Sequence, residues 1–97
     1  MTEQEVRDFV EKKLIQGKGF DPLTIIAIIS LIIQAWRVYQ SCKVANHILK
    51  KNVERNGLAS RLFFKKMIYD KLIENNVPAD TAWQMVEELK KEFIARS

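Results

Sequence analysis

Fifteen consecutive residues, Pro22 to Trp36, carry no charge and include six isoleucines: Ile25, Ile26, Ile28, Ile29, Ile32 and Ile33. No other feature constrains the fold as strongly. On a helix turning about 100° per residue, Ile28, Leu31, Ala35, Val38, Cys42, Ala45 and Leu49 recur at steps of three and four and form one continuous packing seam. Ile25, Ile29, Ile32, Ile33 and Trp36 point elsewhere and form a candidate contact patch for a partner. A helix apolar on more than one side is central in a bundle, buried against another subunit, or in contact with lipid.

The rest of the chain is punctuated as an all-α protein. Thr2 followed by Glu5 is a capping-box pattern, and Val6, Phe9, Val10 and Leu14 share a face, so a first helix is expected over roughly Glu3 to Gln16. Gly17 and Gly19 stop it. Asp21 before Pro22 is a second start signal, and no breaker follows until Asn56-Gly57, so helix two is expected over 22–54. That length is unusual in 97 residues and would project beyond a compact bundle unless it bends, which favours an assembly in which another chain covers the excess. A third helix is expected over Leu58 to Glu74 and a fourth over 79–95, where Ala82, Val86, Leu89 and Phe93 share a face. Asn75-Asn76 tolerates the left-handed backbone of a helix end, so helices three and four should fold back as an antiparallel hairpin. The expected architecture is one helical domain, 1–97, of four helices with a long central second helix.

Chemistry is poorly represented. Cys42 and the single histidine, His47, fall about 140° apart on a helix and cannot meet there. Ser30, Ser41, Ser60 and Ser97 lie in no nucleophile motif, and one Cys with one His is a poor start for a metal site. Gly17-Lys18-Gly19 lacks the frame of a phosphate-cradling loop. Glu87, Glu88 and Glu92 interleave with Lys90 and Lys91, as on a solvated face where Glu87 and Lys91 pair. No enzyme, cofactor, metal or small-molecule substrate is expected.

Charge is unevenly spread. Lys43, Lys50, Lys51, Arg55, Arg61, Lys65, Lys66 and Lys71 stand against Glu54 and Asp70, a local balance of +6 in a chain of net charge +4. Such a basic patch meets nucleic-acid phosphates or anionic lipid heads, or merely solvates two apolar helices. Phe63, Phe64 and Tyr69 lie among these residues and serve either as base-stacking groups or as core aromatics. Ser30, Gln34, Arg37 and Ser41 form a polar stripe on helix two, suited to solvent, to interhelical hydrogen bonds or to a wet lumen in a membrane oligomer.

The uncharged run covers about 22 Å at 1.5 Å per residue, short of the ~30 Å a spanning helix must cross, although Arg37 could snorkel and Phe20, Trp36 and Tyr39 could sit at the interfaces. One cysteine, Cys42, excludes an internal disulfide, which fits an intracellular or virion-interior setting, and the acidic, polar N-terminus lacks the basic start and apolar core of a signal peptide, so no export is expected. The favoured class is a structural or assembly protein that self-associates or docks into a larger complex through helix two. A small membrane-associated or single-span protein and a basic nucleic-acid-binding module are the alternatives. No motif aligns residue by residue to a family pattern. In size, basicity, single cysteine and isoleucine-rich segment the chain resembles the small accessory proteins of tailed-phage particles, a resemblance that implies a place lining the particle interior or passage through a membrane.

Overall fold

A computed structural model describes residues 2–45 and 62–95. Among them there are four helical stretches and no strand. Helix α1 comprises Glu3–Phe9 and a wider π-helical continuation, Val10–Ile15. Helix α2 is Pro22–Ala45. Helix α3 covers 62–74 and contains a second π-helical turn, Lys65–Tyr69, followed by Asp70–Glu74. Helix α4 is Ala79–Ala95. The expected extension of helix two to residue 54 and the expected start of helix three at Leu58 lie outside the described residues.

The helix ends follow local chemistry. Thr2 Oγ1 accepts from the Glu5 N–H and Glu5 Oε1 accepts from the Thr2 N–H, both at 3.2 Å, completing the capping box. Asp21 Oδ1 accepts from the Thr24 N–H at 2.7 Å, with Pro22 opening the helix. Gly17, at φ 80°, ends α1, and the Lys18 N–H returns to the Ile15 carbonyl at 3.1 Å. After α3, Asn76 takes φ 66°, the Val77 N–H reaches the Leu72 carbonyl at 3.0 Å, and the Asn76 N–H reaches Ile73 at 3.0 Å. These are the paired bonds of a Schellman motif, and Val77, buried two positions past the cap, supplies its apolar contact.

Both π turns answer a packing demand. In α1 the fully buried positions Val6, Val10 and Leu14 are four apart, as are Phe64, Ile68 and Leu72 in α3. Steps of four overshoot an α-helical turn by about 40° each, so such a row drifts off the core. A π turn, closed by i to i+5 bonds such as Gln16 N–H to Glu11 carbonyl at 3.1 Å, holds more than four residues and brings the row back into line. In α1 it also buries Ile15 beside Leu14.

Contacts fix how the stretches run. Glu3, at the start of α1, forms a two-pronged ion pair with Arg37 far along α2, so α1 and α2 are antiparallel. Phe93 near the end of α4 lies 5.9 Å from Phe64 near the start of α3, so these two are antiparallel as well. Trp36 and Tyr39 complete the aromatic cluster, at 4.9 Å and 5.7 Å from Phe93, and Tyr39 lies 6.1 Å from Phe63. One continuous buried cluster draws on all four stretches.

Candidate interaction surfaces

Helix α2 turns its isoleucines inward, Ile26 excepted. Ile29, Ile32, Ile33 and Trp36, expected as an external contact patch, are buried within the chain, and Ile25 is partly buried against the same core. Ile28, Leu31 and Ala35 of the expected seam are buried too. Val38 is 38% exposed, Cys42 and Ala45 continue the helix, and Leu49 lies outside the described residues. Seam and patch are therefore one face: the buried positions from Ile28 to Tyr39 sweep an arc of about 200° at 100° per residue. The physical reason is that α1 and α3 pack along this part of α2 and Phe93 of α4 meets its Trp36 and Tyr39, so the chain itself supplies the cover that a second subunit was expected to provide.

The remaining arc of α2 faces outward. Ser30, Gln34, Arg37 and Ser41, the polar stripe, are exposed. Arg37 donates to both Glu3 carboxylate oxygens, one contact at 3.1 Å; this holds the Glu3 carboxyl below and the guanidinium above their ordinary values. The stripe gives way at the N-terminal end of the helix to Leu23, 79% exposed, and Ile26, 60% exposed.

A second apolar surface, not among those expected from the sequence, lies on α3 and α4. Trp83 is 56% exposed and stands edge-on to Tyr69, with ring centres 5.9 Å apart. Beside it is a groove of about 130 Å³ lined by Phe64, Lys65, Trp83, Val86, Glu87 and Lys90. Ile73 and Leu62 add further exposed apolar surface on α3. A signal for Trp83 was present: it falls about 100° away from the row Ala82, Val86, Leu89 and Phe93, the face that α4 buries.

The remaining candidates carry less. Of the basic patch, Lys65, Lys66 and Lys71 are exposed on α3, and Lys65 pairs with Asp70 at 3.2 Å. Lys43 belongs to α2, while Lys50, Lys51, Arg55 and Arg61 lie outside the described residues, as does His47. Phe64 is buried, and Phe63 and Tyr69 are half-buried against the core rather than presented as a stacking platform. Lys91 meets Glu88 at 4.0 Å on the solvated side of α4, where the expected pairing was with Glu87. No three His, Cys, Asp or Glu side chains among the described residues are grouped to hold a metal.

By length and composition Pro22–Ser41, 20 residues, is sufficient to cross a bilayer; its 18-residue window of mean hydropathy 1.6 is 44% buried inside the protein. No protein-family model, curated protein or solved structure matches the chain.

Proposed function

We propose that this chain is a non-enzymatic assembly protein that docks on a second copy of itself or into a larger particle, as small virion components do. The observation that carries the reading is Trp83. A tryptophan more than half exposed, braced by Tyr69 and bordering an apolar groove of about 130 Å³, is the kind of anchor on which binding energy concentrates. A cavity of this volume accommodates one benzene-sized group, which suits an apolar side chain from the partner. The contact surface moves from the isoleucine face, which the core consumes, to the α3–α4 face. A membrane-associated protein is the second reading, supported by the hydropathy of Pro22–Ser41. A transmembrane α2 would have to present Ser30, Gln34 and Arg37 to lipid or shed its neighbours, and either is costly.

Sedimentation velocity over a range of concentrations, in aqueous buffer with and without detergent, tests the proposal. Discrete association without detergent that is lost in Trp83→Glu, while the thermal unfolding midpoint holds, is the expected result. A monomer at every concentration that binds no partner, or association indifferent to Trp83→Glu, overturns it. Aggregation without detergent that resolves into a defined species with detergent moves the membrane reading to first place.

A further inference from the structure

The end of the α1–α2 hairpin combines features that the α3–α4 surface does not. Leu23 and Ile26 are the two most exposed large apolar side chains in the described residues, at 79% and 60%. They stand three positions apart on the outer arc of α2, about 60° from one another. Phe20, half-buried, and Pro22, exposed, extend the apolar surface into the loop. Lys12 and Lys13 in the last turn of α1 and Lys18 in the loop, all exposed, lie at the same end of the hairpin. Glu11 and Asp21 are the acidic residues of this end, and Asp21 is engaged by the Thr24 N–H.

We infer that this prong docks on an anionic lipid surface. Three arguments select lipid over a second copy. First, its extent is right: from Pro22, where the helix starts, to Ile26 is about 6 Å of helix rise, and one turn further on the outer arc becomes polar at Ser30 and Gln34, which matches the 5–10 Å depth to which interfacial elements bury. Second, its area is too small for a stable protein contact. Two side chains and the edge of a third fall far below the ~800 Å² per partner of an ordinary interface, whereas a fluid lipid surface needs no matching shape. Third, the exposed lysines at this end of the hairpin complement the negative potential of anionic headgroups while the tip enters the acyl boundary. The contact is shallow and reversible, and it leaves the core face of α2 inside the protein.

The full chain is tested by co-sedimentation with vesicles of phosphatidylcholine alone and of phosphatidylcholine mixed with phosphatidylserine, at low and high salt. Binding to the mixed vesicles that weakens with salt is expected. The double variant Leu23→Asp/Ile26→Asp should lower partitioning at least about tenfold without moving the unfolding midpoint, because both side chains are exposed. Lys12→Gln/Lys13→Gln/Lys18→Gln should remove most of the salt-sensitive part. Absence of binding to mixed vesicles overturns the inference, as does binding that survives the Leu23/Ile26 double variant, since lipid would then be held by the basic stretch between Lys43 and Lys71. If the double variant alters sedimentation in the absence of vesicles, the prong meets protein and the lipid assignment fails. Trp83→Glu leaves vesicle binding unchanged, so this test is independent of the assembly reading.

Discussion

Ile32 and Leu23 sit nine positions apart on one helix, in one uncharged run, and meet opposite fates: Ile32 is completely buried and Leu23 is 79% exposed. Residue type does not separate them. Ile32 faces the side of α2 where the other helices and the aromatic cluster converge, whereas Leu23 lies in the first turn on the outer arc. An apolar run is therefore a statement about what a segment can bury, and only the paths of the other helices decide which part is consumed internally and which is left for a partner or a lipid surface.

The contrast breaks most sharply with a charge in the interior. Ile33→Asp or Ile32→Asp should cause the largest loss of stability, because a carboxyl in that environment, charged or protonated, finds no partner, and the penalty is a large part of the 5–15 kcal/mol that hold a typical domain together. The same change at Leu23 should leave the far-ultraviolet circular dichroism melt in place. A soluble, folded Ile33→Asp chain with altered association would restore the isoleucine patch as an external contact.

Truncations sharpen the same comparison on a measurable scale. Phe93→Ala opens the cluster of Trp36, Tyr39 and Phe64 and should cost about 3–5 kcal/mol in urea denaturation, and Ile32→Ala about 2–5 kcal/mol. Leu23→Ala should fall within about 0.5 kcal/mol of the parent. Comparable losses at Leu23 and Ile32 would mean that the tip is packed in solution, against a second copy or otherwise.

One step smaller is the turn between α3 and α4. Asn76 holds φ 66°, a conformation that costs a residue with an ordinary Cβ about 1 kcal/mol, so Asn76→Ala should lose about that amount in the same denaturation experiment while Asn76→Gly changes stability little. Equal losses in both variants would place the contribution in the Asn side chain instead of the backbone.

How much of this was legible in the sequence differs by element for physical reasons. The helix ends were readable because caps are local: Thr2 with Glu5, Asp21 with Pro22, Gly17 and Asn76 all act within a few residues. The π turns are not visible at a fixed helical pitch, although the four-residue spacing of Val6, Val10, Leu14 and of Phe64, Ile68, Leu72 carries their signal. The external role given to Ile29, Ile32, Ile33 and Trp36 could not have been decided locally. Periodicity reports that a helix is apolar on two sides and cannot say whether the cover is the chain's own, and contacts such as Glu3 with Arg37 bridge separations that no window spans. Trp83 stands off the buried row of α4, and helical periodicity marks the rows a helix buries, not the apolar residues outside them.

The smallest effect expected lies at the base of the tip, where Asp21 caps the helix that carries Leu23. Hydrogen bonding from Thr24 favours the carboxylate, so the Asp21 carboxyl is lowered from its ordinary value of 3.8. A depressed folded-state pKa stabilises the fold above the ordinary value, and that contribution is lost as pH falls through the folded one. The cap is thus complete at neutral pH and fades only in acid. Asn accepts the same bond without titrating, so Asp21→Asn should keep the neutral-pH unfolding midpoint and show a shallower acid decline than the parent, while Asp21→Ala should lower the midpoint at neutral pH. Because Glu3 is lowered by Arg37 and contributes its own acid dependence, the informative quantity is the difference between parent and variant curves. If Asp21→Asn follows the parent into acid without deviation, the Thr24 contact does not order the first turn of α2, and the exposure of Leu23 would then reflect a frayed helix end instead of a fixed prong.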